Sequence, residues 1–108
     1  MTYTREMLEK MSDTEVNLEL AKLLYSDQAQ DCIVFGFNYE DWGVIMPLAV
    51  EYDVFLDNGA VINECHKKYV AYSSLIYNYS EIVCASYYFS DDSPQRAIAC
   101  CLLTMEVK

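Results

Sequence analysis

Seven consecutive apolar residues, Ala97 to Leu103, follow the pair Ser93-Pro94. The serine is placed to cap a helix and the proline to fill its first position, where a missing amide costs nothing. A helix of about 12 residues that is apolar on every side has no face to give to water, so it must be buried against a sheet or against a second copy of the chain. Each Leu or Ile buried there contributes ~1.5 to 3 kcal/mol, a large share of a domain's net stability. Truncation before Pro94 is expected to abolish folding.

The rest of the chain supplies the layers that such a helix needs. Residues 1 to 11 favour a helical turn or two, with Glu6 and Lys10 four apart and Tyr3, Met7 and Met11 on one side. Ser12-Asp13-Thr14-Glu15 reads as a capping box, with Met11 and Val16 as the flanking staple. Val16, Leu20, Leu23 and Leu24 then recur at helical spacing, which predicts a helix from about 13 to 25. Cys32-Ile33-Val34-Phe35-Gly36-Phe37 is short, β-branched and aromatic, and predicts a strand over 32–37. Asn38 is expected to cap a central helix ending near Val50 and interrupted at Pro47, by a kink or as two short pieces. Asp57-Asn58-Gly59 between two apolar triplets predicts a β-hairpin over about 53 to 64. Residues 65 to 79 satisfy neither period, although their Tyr and Val content leans toward strand, and Glu81 to Phe89 reads as a strand. This order predicts an α+β domain: a largely antiparallel sheet packed by an N-terminal helix, an interrupted central helix and a buried C-terminal helix.

At 108 residues and with no repeat or linker, the chain fits a single domain over 1–108. Its charge restricts partners: 17 acids against 7 Lys and Arg give a formal net charge of −10. Phosphate backbones and anionic lipid repel such a protein, so direct nucleic-acid or membrane binding is not expected. A basic protein surface would attract it. The five cysteines are odd in number and lack C-x-x-C spacing, and the opening MTYTREMLEKM is charged where a signal peptide would be apolar. Both features predict a reduced, cytoplasmic protein, and no apolar run approaches the roughly 20 residues of a membrane span.

Catalytic chemistry finds little support. Cys65-His66 places a thiol beside the sole histidine, but neighbours on a strand point to opposite faces, and a catalytic base must meet its nucleophile in space. Cys32, Cys65, His66 and Cys84 show no zinc pairing, and Cys100-Cys101 reads as two small buried hydrophobes. The acidic groups Glu40-Asp41, Glu51, Asp53, Asp57 and Asp91-Asp92 are the candidates for a binding surface; caps and turns also account for Asp41, Asp57 and Asp91-Asp92. Three glycines, at 36, 43 and 59, are too few and too scattered for a phosphate loop. Tyrosines crowd between Tyr69 and Tyr88; Tyr87 and Tyr88 are either cross-strand partners on a half-buried sheet or anchors at an interface. No enzyme activity, cofactor or metal is expected.

Three segments together resemble one family. Met11-Ser-Asp-Thr-Glu-Val-Asn17 is similar to its leading Leu-Ser-Asp-Phe-Glu-Ile-Asn motif. Met46-Pro-Leu-Ala-Val-Glu51 followed by Val54 is similar to Trp-Pro-Ile-Ile-Val-Glu-Asn, with Met46 where tryptophan is common. Ser93-Pro-Gln-Arg-Ala-Ile-Ala99 is similar to Asn-Pro-Leu-Arg-Ala-Ala-Met. In this order and spacing they resemble the NinX-like accessory proteins of tailed bacteriophages and prophages. The resemblance implies a non-catalytic protein of the host cytoplasm that works through contacts with a host or phage protein. An acidic anti-defence inhibitor that imitates DNA is the alternative. It also singles out Arg96, expected to pair with a carboxylate such as Asp92 or to touch a partner.

Overall fold

The computed structural model describes residues 3–58, 67–78 and 81–106; of residues 74–78 and 81–86 only the backbone enters the description. Helix α1 (Arg5–Lys10) is capped by the Thr4 hydroxyl, which accepts from the Met7 amide at 3.2 Å. Helix α2 (Asp13–Tyr25) begins with the expected capping box: Ser12 Oγ accepts from the Glu15 amide, and Glu15 Oε1 accepts from the Ser12 amide. A 3₁₀ turn (Ser26–Gln28) leads into α3 (Ala29–Val34), and α4 (Trp42–Glu51) follows. Strands β1 (Phe55–Asn58), β2 (Tyr69–Asn78) and β3 (Glu81–Asp91) form an antiparallel sheet in the order β1-β2-β3, and α5 (Pro94–Met105) closes the fold. The chain is α+β.

Helix α5 packs on the sheet, with α2 and α4 against it. Every residue from Ala97 to Leu103 is buried, as an all-apolar helix requires. Ala71 and Phe89, opposite each other on β2 and β3, belong to the same core. Phe55, Tyr72 and Tyr88 fall in one row across the three strands. Phe55 stacks on Tyr72 at 5.8 Å between centroids, and the Arg5 guanidinium lies 4.3 Å from the Tyr88 ring centre. Tyr72 and Tyr88 are therefore engaged in cross-strand pairing and cation–π contact.

Two expectations are corrected. The segment expected as a strand over 32–37 is the end of α3 and its terminating turn. Gly36 has φ +112°, its amide donates to Ile33 O, and the Phe37 amide donates to Cys32 O. This pair of bonds is the glycine-dependent helix stop, and Gly36 signals it. The cap of α4 is Asp41, not Asn38: Asp41 Oδ1 accepts from the Gly43 amide at 2.8 Å, whereas Asn38 Oδ1 accepts from the Glu40 amide in the turn before it. With the helix starting at Trp42, Pro47 is its sixth residue and has no amide to donate; of the two forms expected for the interruption, separate pieces are not found, and Trp42–Glu51 runs as one element with Pro47 inside it. Of the hairpin expected over 53 to 64, the first arm is β1, here paired with β2 through Asn58 and Tyr69; Gly59 and the return arm lie outside the described residues, as does Cys65-His66. Residues 69–78, left between the two periods, are strand β2.

Candidate functional site: an acid-ended apolar face

Helix α4 is apolar nearly all round: it reads WGVIMPLAVE, with Glu51 its sole charged residue. Ile45 and Ala49 point into the core. The strip beside that buried side is left to solvent, with Trp42 43%, Met46 41% and Val50 72% exposed. These three lie one turn apart and form a ridge about 12 Å long. Upstream, at the end of α3, Val34 and Phe35 are 78% and 89% exposed. An open cleft of about 530 Å³ is lined by α2 and the segment joining α3 to α4, among others by Asp13, Asn17, Ile33, Gly36, Glu40 and Asp41.

Carboxylates stand at both ends of the ridge. Glu40 and Asp41 are exposed at its start, Glu51 and Asp53 at its finish. Asp41 is explained by capping, but the last two work against the fold. Glu51 sits in the final turn, where the helix dipole disfavours an anion. Asp53 holds φ +55° at the position after the cap, where its amide donates to Val50 O and the Val54 amide to Ala49 O; glycine would hold that conformation without strain. From Leu23 to Cys65 the chain has no Lys, Arg or His, while Asp27, Asp31, Glu40, Asp41, Glu51, Asp53, Asp57 and Glu64 all fall within it.

A fixed polar network holds this face in place from behind. Asn17 Nδ2 donates to Phe37 O at 3.0 Å, and its Oδ1 accepts from the Tyr39 amide at 2.9 Å, which fastens the segment before α4 onto α2. The Tyr39 ring is buried, and its hydroxyl donates to Asp13 Oδ1 at 2.5 Å. Arg96, with a side chain 11% exposed, donates to the same oxygen at 2.8 Å. It also donates to Leu8 O and Met11 O, and its Nε lies 3.3 Å from Asp91 Oδ2. Hydrogen bonding by Tyr39, ahead of Arg96, holds the Asp13 carboxyl below its ordinary range, against partial burial. Burial, reinforced by that carboxylate, pushes the Tyr39 phenol well up.

The expected acidic and aromatic candidates are therefore divided. Asp91 joins Arg96, and the expected partner Asp92 instead accepts from the Lys68 amide at 3.1 Å, which removes it from the arginine. Arg96 is held inside the network rather than presented to a partner. Asp57 accepts from the Asn58 amide on β1, beside Lys68 and Tyr69. Tyr87 is part-exposed on β3 and Tyr88 lies under Arg5, so neither joins the α4 ridge. Glu40, Asp41, Glu51 and Asp53 do. The apolar ridge itself went unread, because Val34, Phe35 and the α4 residues have the composition of core; the readable signal was an α4 with no polar side to turn outward.

Nucleophilic chemistry finds no support in the described cysteines of α5: burial pushes the Cys100 and Cys101 thiols up to about 12. Among the described residues no three His, Cys, Asp or Glu side chains converge as for a metal, and no helix is long and apolar enough to cross a membrane. Of the segments that carry the family resemblance, the first and third meet at Asp13 and Arg96, while the second forms the ridge from Met46 to Glu51. A scan against protein-family models and searches of curated proteins and solved structures found no match to this chain.

Proposed function

We propose that this chain is a non-catalytic accessory protein of a tailed bacteriophage or prophage that acts in the host cytoplasm by binding another protein through α4. The phage setting rests on the three resembling segments. Binding through α4 rests on one observation: Trp42, Met46 and Val50 form an exposed apolar ridge with carboxylates at both ends, of which Glu51 and Asp53 work against the fold. Large exposed apolar side chains in a contiguous stripe are where partners dock, and acids bordering them accelerate encounter with a basic surface.

A second reading, an acidic inhibitor that occupies the nucleic-acid site of a host nuclease or surveillance complex, is favoured by the base-free stretch from Leu23 to Cys65. The two readings separate by salt. A DNA imitator loses affinity steeply as salt rises, whereas a ridge-centred contact keeps most of it. The experiment is affinity capture from host cells carrying the phage, with wild-type protein and a Met46→Glu/Val50→Glu variant whose fold is verified by circular dichroism. A protein retained by wild type and lost with the variant supports the proposal. Identical captures by both would refute α4 as the contact face.

A further inference from the structure

We infer that the occupant of the α4 ridge is an amphipathic helix of a partner protein, with Lys or Arg at both ends of its apolar stripe. The inference rests on the reading of α4 as the contact face and adds the chemistry of what covers it. Trp42, Met46 and Val50 repeat every fourth residue, and Gly43 and Pro47 beside them on the open side carry little or no side-chain bulk. That leaves a straight ridge flanked by low ground, into which the side-chain rows of a second helix fit.

Charge selects the kind of helix. From Asp41 to Glu51 is ten residues, about 15 Å along the axis, and each end carries a second carboxylate, Glu40 at one and Asp53 at the other. A partner helix lying along the ridge meets both acidic ends if its own bases stand about ten or eleven positions apart. A second copy of this chain is the wrong occupant. Its ridge has the same acidic ends, no base lies between Leu23 and Cys65, and each copy carries a net charge of −10, so ridge-to-ridge pairing sets like charges against each other.

Trp42 is the sole tryptophan and stands on the ridge, so its emission reports occupancy directly. The test titrates the full chain with a synthetic helical peptide of about 18 residues, with leucines at heptad-like spacing and arginine pairs at both ends of the stripe. The comparison peptide has glutamates in place of the arginines. The expected result is a saturable blue shift with the arginine peptide, weakened at least tenfold by Val50→Glu and weakened by 0.5 M salt, with no response to the glutamate peptide. Met46→Glu serves as a second variant, and melting curves verify that both fold.

Equal binding of the two peptides, undiminished binding by Val50→Glu and Met46→Glu, or unchanged Trp42 emission throughout would each overturn the inference. A blue shift that grows with protein concentration alone would identify a second copy as the occupant and overturn it as well. If α4-dependent capture from host cells succeeds while the arginine peptide fails, the helix chemistry is wrong and the contact face stands. If both fail, the contact face falls too.

Discussion

Helices α4 and α5 are close in length and alike in apolar content, yet one is closed on every side and the other has an open side. Sheet, α2 and α4 surround α5, while α4 covers only Ile45 and Ala49 fully and leaves Val50 72% exposed. Hydrophobic composition all round a helix therefore states a demand for cover without saying who meets it. In α5 the fold itself meets it. In α4 the demand is left standing, and acids mark its two ends, those at the finish without structural use.

The sharpest way to break this contrast is to place a charge on each helix in turn. Leu102→Asp puts an unpaired carboxylate in a fully buried position and is expected to unfold the protein, read as loss of the cooperative thermal transition; Leu102→Ala should cost ~2 to 5 kcal/mol. Arg96→Met keeps the aliphatic bulk but leaves Leu8 O, Met11 O and Asp91 without their donor. A loss of about 2 kcal/mol is expected, discounted because water compensates the exposed Asp13 oxygen. Amide exchange should then rise first in α1.

Titration tests the same network and the buried thiols. The Asp13 pKa is lowered in the folded state, so its stabilising effect is complete above the ordinary Asp range and is lost as pH falls below about 4. Tyr39→Phe, which removes the larger cause, should flatten that acid limb. The thiols are raised instead, so their contribution is intact below the ordinary thiol range near 8.5 and is lost progressively as pH climbs from there toward about 12. Cys100→Ala should flatten the alkaline limb of a melting-temperature profile.

Smaller effects sharpen the claim about α4. Asp53→Gly relieves a left-handed backbone and should stabilise by ~0.5 to 1 kcal/mol; a lower melting temperature would show that the aspartate serves the fold after all. Val50→Glu should change stability by no more than about 0.5 kcal/mol, the range of ordinary surface substitutions.

How far the residues alone disclosed this arrangement varies with the kind of signal. Local polar chemistry was readable: Ser12 with Glu15, and Ser93 with Pro94, place the starts of α2 and α5 at the positions found. Composition misled where it stood in for position. Ile33, Val34 and Phe35 have strand-like side chains, but the polar residues before them continue into a helix that packs on α2, and Gly36 ends it. The register of β2 with β3 and the convergence of Asp13, Tyr39 and Arg96 join residues far apart in sequence, and no local pattern announces them. Of the binding face, the acids at 40, 41, 51 and 53 were visible, whereas the exposed apolar ridge depends on which side of α4 the core claims.

Arg96 has a further consequence for how the chain reaches its native state. Its guanidinium ties down the carbonyls of Leu8 and Met11, 88 and 85 positions earlier, and the carboxylate of Asp13, 83 positions earlier. A nascent chain emerging from the ribosome must hold α1 and α2 without their anchor until Arg96 has been synthesised. Contacts of such long sequence separation slow folding. A prematurely stopped translation product would leave its leading helices unsecured, ready for proteolysis.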